Sequence, residues 1–380
     1  MARGTGVTQG FSLADQLFNE ETISNIAENY AAAVEDFDAA EFTAEAVSKF
    51  KDMAFMERME WITDCIEKRL SSDFSIMAGQ LEAAMPPELD PSLTDDDFGL
   101  FTHAPPGYLA VRHGLENHRE RALDLIYENT KRFSMEWPIR PFLNRWPEET
   151  MARLKAWAVD DNYHVRRLVS EGTRPKLPWA KKLDMDVPTP LPLLDTLHAD
   201  PTRYVTRSVA NHLNDIAKTH PDLVVDTLKS WHAAGKQDAK ELDWMTRHAL
   251  RTLIKQGHVG AMDLLGFKAD APVTLKRLSL ESDKVIAGEA FQFELDLEAN
   301  EQSPVIIDYV IHFQKAGGKV SPKVFKLKQA VLKKGKAQTF TKKHVLKANA
   351  TTFKLFPGAH KLVIQVNGRH LGEAGFDLSM

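Results

Sequence analysis

The feature that most constrains the fold of this 380-residue chain is an internal repeat in its middle. Eight-residue segments that begin at His164, Tyr204 and Trp244 are 40 residues apart and share one order of residue types. That order is a ring residue, an apolar residue, any residue, Arg, any residue, an apolar residue, any residue and a polar residue. A segment that begins at Trp137, 27 residues before the first of these, has the same order. A fixed period of this length is typical of stacked helical pairs, so the sequence predicts a curved solenoid with a concave face.

Helical periodicity extends well beyond the repeat segments. From about Asp15 to Met262, apolar residues recur at i, i+3, i+4 and i+7, and the pattern predicts helices such as those over 20–33 and 55–70. Paired helices with a period near 40 residues have the length of a HEAT or armadillo unit. We therefore expect a HEAT-like helical-repeat domain over residues 1–268.

The sequence pattern changes near Pro272. Beyond it, about seven short runs of alternating or β-branched residues, the first of them over 273–280, are separated by turn signals such as Gly317-Gly318 and Asn367-Gly368. This pattern is typical of an immunoglobulin-like β-sandwich, which we expect over residues 269–380. The predicted fold class is a mainly α N-terminal HEAT-like helical-repeat solenoid followed by an all-β C-terminal immunoglobulin-like sandwich.

The charge is distributed unevenly along the chain. Residues 1–100 contain 21 acidic and 6 basic residues, whereas residues 271–380 contain 17 basic and 10 acidic residues. A polyanion is therefore expected to contact the middle and the C-terminal end rather than the first hundred residues.

Each repeat segment places an arginine four residues before a second polar residue. The pairs are Arg140/Asn144, Arg167/Glu171, Arg207/Asn211 and Arg247/Arg251. One interpretation is a set of solvated outer helix faces with intrahelical pairs. The other is a row of phosphate ligands on the concave face, because guanidinium groups bind phosphates bidentately. Arg before Glu at this spacing is the less favourable order for a helical pair, and this weakens the first interpretation.

Aromatic residues interleave with these arginines. Trp137, Tyr163, Trp179 and Tyr204 lie within a few residues of them. Any single tryptophan among them is explained better as part of the core between helices. As a group they also match a platform for nucleic-acid bases or for a cationic ring.

Lysines accumulate in the predicted β-sandwich. Thirteen lysines and no acidic residue lie between Asp308 and Glu373. Lysines on edge strands can serve as protection against aggregation, but this number exceeds what edge protection requires. We expect a second basic surface that includes Lys333, Lys334, Lys336, Lys342 and Lys343.

Four runs of the sequence carry a resemblance to a known family. They are residues 94–98 (TDDDF), 130–143 (TKRFSMEWPIRPFL), 164–179 (HVRRLVSEGTRPKLPW) and 204–218 (YVTRSVANHLNDIAK). Over about residues 10–265 the chain resembles the AlkC branch of the AlkC/AlkD alkylpurine DNA glycosylases. Its β-rich tail is similar to the immunoglobulin-like extension found on some members of that branch. The pair Trp137-Pro138 departs from the family pattern, in which an aromatic residue is followed by Ala.

The resemblance implies that the helical domain is a DNA glycosylase of base excision repair. Its expected substrates are cationic N3-alkylated bases in duplex DNA, 3-methyladenine and 3-methylcytosine, excised without a deep base-flipping pocket. The functional carboxylates of the family map onto Glu136, Glu171 and Asp215. Alkylation at N3 makes the base a cationic leaving group, so an enzyme needs mainly negative charge near C1′ and a positioned water.

The DNA-binding residues that we predict are those of the arginine row and its surroundings together with the lysines of the sandwich. They are Trp137, Arg140, Arg166, Arg167, Arg174, Lys176, Trp179, Arg207, Asn211, Arg247, Lys333, Lys334, Lys336, Lys342 and Lys343. The contact made by the lysines would make the immunoglobulin-like domain a second DNA-gripping element.

Several other classes of protein are not expected. No run approaches the length of a membrane span, no phosphate-binding glycine loop is present, and no residue cluster has metal-ligand spacing, so we expect no cofactor. The single cysteine, Cys65, excludes a disulfide framework and fits a reducing cytoplasm. We expect a cytoplasmic monomer. The alternative is a non-enzymatic helical-repeat scaffold that binds a protein, for which the acidic first hundred residues are the best support.

Overall fold

The computed structural model describes residues 13–93, 98–178, 180–348 and 354–380. Within them, helices extend to Leu264 and strands begin at Val273, which confirms the predicted change of structural class near Pro272. The chain forms two compact units. One contains the described residues up to Ile216 together with 236–239, and the other contains 217–235 and 240–380.

Sixteen α-helices lie in the described residues. They are α1 (Leu13–Leu17), α2 (Glu20–Ala33), α3 (Ala39–Ser48), α4 (Phe55–Glu67), α5 (Phe74–Ala83), α6 (Pro105–Leu109), α7 (Arg119–Thr130), α8 (Ile139–Arg145), α9 (Pro147–Trp157), α10 (Tyr163–Gly172), α11 (Leu191–Leu197), α12 (Arg203–Ile216), α13 (Pro221–Ala234), α14 (Ala239–Ala249), α15 (Arg251–Gln256) and α16 (Val259–Leu264).

Local sequence accounts for where several of these helices begin. At the start of α2, the Asn19 side chain accepts from the Thr22 amide, and the Thr22 hydroxyl oxygen accepts from the Asn19 amide, a reciprocal capping box. The Asn162 side chain caps α10 by accepting from the His164 amide at 2.9 Å. The predicted helix over 20–33 matches α2, and the one over 55–70 ends three residues earlier, at Glu67.

The amphipathic helix α10 is covered on both of its faces. Its apolar residues Val165, Leu168 and Val169 are fully buried, as the periodicity predicts. The opposite face is not open to solvent, because Glu171 is also buried. This helix packs against α7, α9, α11 and α12, so polar groups on its second face are enclosed and must find partners within the protein.

In the described residues of the second unit, eight strands form two sheets. The strands are β1 (Val273–Leu280), β2 (Lys284–Ile286), β3 (Ala290–Ala299), β4 (Ser303–Gln314), β5 (Val320–Leu332), β6 (Gln338–Val345), β7 (Gly358–Val366) and β8 (Arg369–Ser379). One sheet has the order β1-β3-β6 and the other the order β2-β8-β7-β4-β5. All pairs are antiparallel except β2 with β8. The seven predicted strands are present, and the short β2 was not predicted.

Alternating residues fill the space between the two sheets. Phe293 and Leu295 of β3 share a core with Ile307 and Tyr309 of β4, as expected for a sandwich. The opposite face of β4 carries Ile306, which packs with Met262 and Phe267 from the end of the helical region.

That contact explains why the two compact units do not divide at the change of class. The last helices bury apolar side chains against the five-stranded sheet, and they therefore belong to the second unit. The domain limits 1–268 and 269–380 stay a prediction about sequence modules. Among the described residues, no helix has the length and apolar character that crossing a membrane requires.

Candidate active site

The three carboxylates with predicted roles come from neighbouring parts of the first unit. Glu136 lies in the turn before α8, Glu171 in the last turn of α10 and Asp215 near the end of α12. Since α10 packs on α12, Glu171 and Asp215 are brought to the same end of that helix pair.

A glycine allows α8 to approach the end of α10. A Cβ atom placed on Gly172 would lie 2.6 Å from Cγ2 of Ile139, the first residue of α8. Ile139 is fully buried, so it has little room to move away. The close approach sets Glu136, three residues before Ile139, beside Glu171.

Arg167 joins the two glutamates. Its Nη1 donates to Glu136 Oε2 at 3.0 Å, and its Nη2 lies 3.7 Å from Glu171 Oε2. The guanidinium also stacks on Tyr204, 4.5 Å from the ring centroid. The hydroxyl of Ser134 donates to Glu136 Oε2. One cation therefore holds a buried and a partly buried carboxylate in a single site.

Glu171 has further partners that hold it in its charged form. Ser208 Oγ donates to Oε2 at 2.6 Å, and Arg174 Nη1 donates to Oε1 at 2.5 Å. Arg174 also donates to Asp215 Oδ2 from Nε at 3.0 Å and from Nη2 at 2.8 Å. Asp215 thus contacts Arg174, which in turn contacts Glu171.

The two glutamates have opposite pKa shifts. Burial raises the pKa of Glu136 above its usual range, and the charge of Glu171 adds to this rise against the opposing effect of Arg167. Burial also acts to raise the pKa of Glu171, but Arg167 and Arg174 outweigh it, so the pKa of Glu171 is lowered. Two carboxylates whose environments separate their pKa values are typical of a site in which they have different roles.

Both glutamates face a cavity of about 320 Å³. Its walls are Phe98, Phe101, Phe133, Ser134, Glu136, Trp137, Arg167, Glu171, Arg174, Leu177 and Pro178. The ring of Phe101 lies 5.1 Å from that of Phe133 and 6.0 Å from that of Trp137. Aromatic faces and carboxylates around one cavity form a place that suits a cationic ring.

Sequence reasoning did not single out the three phenylalanines of this wall. Phe98 and Phe133 lie within runs that carry the family resemblance, but nothing in the pattern separates them from core residues. Gly99 has a φ of 76°, and a Cβ atom on it would lie 1.9 Å from the carbonyl oxygen of Arg132. This close backbone approach, with the bridge from Gly99 to Phe133, brings Phe98 to the cavity.

The structure corrects the prediction that Arg140 is a DNA ligand. Arg140 is only 1% exposed, and its guanidinium donates to the backbone carbonyls of Gly172, Arg174 and Lys181 at 3.0, 2.8 and 2.5 Å. Burial lowers its pKa to about 10, with Arg174 adding to the effect. The side chain is enclosed by protein and is not placed to contact a phosphate.

Arg166 is also occupied by protein. Its Nε donates to Asp200 Oδ2 at 2.5 Å, and its Nη1 donates to the carbonyl of Asp160 at 2.7 Å. These contacts join α10 to the chain around Asp200 and differ from the predicted phosphate contact. Arg166, like Arg140, contacts protein because neighbouring parts of the chain cover its side of the helix.

The other predicted DNA-binding residues of the helical region have varied positions. Arg167, Arg174 and Trp137 are partly buried in the cavity wall, whereas Lys176 is exposed. Arg207 and Asn211 are half-buried on α12, and Arg247 is exposed on α14. Trp179 lies outside the described residues.

The predicted lysines of the sandwich do not share one face. Lys333, Lys334 and Lys336 are exposed in the connection between β5 and β6. Lys342 and Lys343 are adjacent on β6, so their side chains project to opposite faces of the strand. In the part of the chain that the structure describes, no three His, Cys, Asp or Glu residues are grouped to hold a metal ion.

Comparisons with known proteins agree on both parts of the chain. A family model described as "DNA alkylation repair enzyme" matches residues 133–253, and one described as "Uncharacterised protein YhaZ, C-terminal Ig-like domain" matches residues 274–380. The uncharacterised protein YhaZ of Bacillus subtilis is 31% identical over 357 residues, which cover 93% of this chain and 96% of YhaZ.

A solved structure is similar over nearly the full length. It is the Pseudomonas fluorescens alkylpurine DNA glycosylase AlkC bound to DNA containing an abasic site analog. It is 32% identical, with a TM-score of 0.84, and the match covers 97% of this chain and 99% of that one.

Proposed function

This chain belongs to the AlkC family of alkylpurine DNA glycosylases, and we propose that it hydrolyses the N-glycosidic bond of cationic N3-alkylated bases in duplex DNA. The substrates of this proposal are 3-methyladenine and 3-methylcytosine. The observation that carries it is a pair of glutamates joined by Arg167 at an aromatic cavity, the buried Glu171 and the partly buried Glu136.

The two glutamates have separate roles in the proposed reaction. A base alkylated at N3 leaves as a neutral molecule, and positive charge develops on the sugar. Glu171, ionised because of Arg167 and Arg174, stabilises that charge electrostatically. Glu136, whose pKa is raised, accepts a proton from the attacking water, because a general base works best with a pKa near the operating pH.

The surrounding residues orient these groups or bind the base. Phe98, Phe101 and Trp137 offer ring faces to a cationic base. Asp215 acts through Arg174 rather than on the substrate, since its carboxylate contacts that guanidinium. The cavity volume lies at the small end of the usual range for ligand sites, which fits a lesion that is not drawn into a deep pocket.

The DNA backbone is bound in this proposal by basic and polar residues of the helical region together with lysines of the sandwich. Lys176, Arg207 and Asn211 of the helical region fit this role, as does Arg247. The exposed lysines between β5 and β6 supply a second contact. In both places cations neutralise phosphates without reading the sequence. A monomer in the cytoplasm is part of the same proposal, and the buried free Cys65 fits a reducing compartment.

The test is to incubate the protein with duplex DNA that carries 3-methyladenine or 3-methylcytosine and to identify the released bases by mass spectrometry. We expect release of the free alkylated base and an abasic strand. The double variant Glu136→Gln/Glu171→Gln, which keeps the shapes of both side chains, is the control and should release none. Absence of release by the wild-type protein at every lesion would refute the proposal and favour the scaffold alternative.

A further inference from the structure

The segment between α10 and α11 has no regular structure in its described residues. It runs from 173 to 190, and loops of this length in a compact unit are usually functional. Arg174, Leu177 and Pro178 of this segment form one wall of the cavity. We call residues 173–184 the cavity loop.

Arg140 joins the two ends of the cavity loop. Its Nη1 donates to the carbonyls of Gly172 and Arg174, and its Nε donates to the carbonyl of Lys181. One guanidinium therefore binds backbone at the start of the loop and again near its other end. Two of these hydrogen bonds hold the loop to α8, and the third, to Gly172, holds the last residue of α10 beside it.

The chemistry of this contact is unusual for a buried arginine. Buried charges are usually paired with an opposite charge, but the acceptors of Arg140 are backbone carbonyls. Arg174, another cation, lies near enough to disfavour the charged form of Arg140. A buried charge without an opposite charge beside it costs free energy. The contacts of Arg140 indicate that its role is to hold these backbone carbonyls in place.

A second side chain of α8 acts on the same loop. Asn144 lies one helical turn after Arg140, and its Nδ2 donates to the carbonyl of Lys182 at 2.8 Å. Its Oδ1 accepts from the Asp184 amide at 3.1 Å. The Arg and polar residue of this repeat segment, four residues apart, thus both contact the backbone of the cavity loop.

We propose that Arg140 and Asn144 are positioning residues that fix the cavity loop and, through it, the contact between Arg174 and Glu171. The link is direct, because Arg140 binds the backbone of Arg174, whose side chain binds Glu171. The effect on catalysis rests on the proposed function, whereas the effect on the loop does not.

The experiment compares Arg140→Met and Asn144→Ala with the wild-type protein by two measurements. The first is amide hydrogen exchange of residues 173–184. The second is single-turnover excision of 3-methyladenine at saturating enzyme. For Arg140→Met we expect loop exchange at least about tenfold faster and excision about 10- to 100-fold slower, as expected for loss of charge-assisted hydrogen bonds. Asn144→Ala should change both in the same direction by about threefold to tenfold.

Arg69→Met is the matched control. Arg69 is also largely buried, and its Nη1 donates to Glu45 Oε2 at 2.7 Å and to the Cys65 carbonyl at 2.9 Å. Its loss should lower thermal stability but leave loop exchange and excision at wild-type values. A general loss of stability would instead affect the Arg69 and Arg140 variants alike.

Two results would overturn the proposal. One is wild-type exchange of the cavity loop in both α8 variants, and the other is an equal loss of excision in Arg69→Met. Asn144 is only half-buried, so Asn144→Ala is expected to fold. This variant tests the proposal if Arg140→Met does not fold. If the wild-type protein excises no base, the proposed function fails, but loop exchange still tests whether α8 holds the loop.

Discussion

Replacing Glu171 by Gln removes one charge from the candidate site and keeps the shape of the side chain. The carboxylate accepts from Ser208 and Arg174 and lies beside Arg167. Arg174 keeps its two hydrogen bonds to Asp215 in the variant. We therefore expect the protein to fold and to bind DNA, and the chemical step to slow.

The size of the loss follows from the charge that develops on the sugar. Two unit charges about 4 Å apart interact by about 4 kcal/mol at an effective dielectric constant of about 20. Since about 1.4 kcal/mol corresponds to a factor of ten in rate, loss of this interaction slows excision by about 10³-fold. This value lies within the range of about 10²- to 10⁴-fold that is expected for removal of one well-placed charged or proton-transferring group.

The assay is single-turnover excision from a duplex with one 3-methyladenine, with the enzyme in excess. Ser208→Ala is the matched control, because it removes one hydrogen bond to the same carboxylate but keeps its charge. We expect about a tenfold loss in that control. Thermal melting and DNA affinity are measured for both variants.

Excision by folded Glu171→Gln within about threefold of the wild-type rate would refute electrostatic stabilisation by this carboxylate, because loss of a charge is expected to slow the reaction far more. An equal loss of excision rate in Ser208→Ala would also contradict electrostatic stabilisation, because the orientation of Glu171 rather than its charge would then limit the rate.

Three further outcomes are expected. Burial raises the pKa of Glu136, so a general base there ionises only at higher pH than an ordinary glutamate. The wild-type rate should rise with pH through that raised pKa, and Glu136→Gln should flatten the rise in a pH–rate profile. Lys176→Ala and Arg207→Ala should weaken binding to damaged and undamaged duplexes alike, and each should reduce the slope of log affinity against log salt by about one; unchanged slopes would remove both residues from the DNA interface. Gly172→Ala should lower the free energy of unfolding by about 1–3 kcal/mol in urea denaturation, because its Cβ would meet Ile139; an unchanged midpoint would mean that α8 moves away at no cost.

Much of the fold is encoded locally and was predicted from sequence. The helix α2 has the predicted bounds because its periodicity and its capping residues Asn19 and Thr22 lie within a few positions of one another. The strand β1 matches its predicted run for the same reason, since alternation and turn residues are properties of neighbours in the chain. Among the strands of the described residues, β2 alone was not predicted, because three residues carry too little pattern.

The identity of the carboxylates came from the family resemblance, and their environment came from the structure. Sequence placed Arg140 and Arg167 at one repeat position and predicted one role for both. In the structure Arg167 binds Glu136 and faces the cavity, whereas Arg140 is enclosed and binds the backbone of the cavity loop.

The physical reason is the distance along the chain between the partners. Residues such as Arg174 and Asp215 are 41 positions apart, and Arg140 and Lys181 are also 41 positions apart. Helical periodicity determines which face of a helix is apolar, but it carries no information about which neighbour covers the polar face. Only the packing of α8, α10 and α12 decides whether a guanidinium on that face meets a carboxylate, a carbonyl or solvent, and thereby which glutamate is ionised.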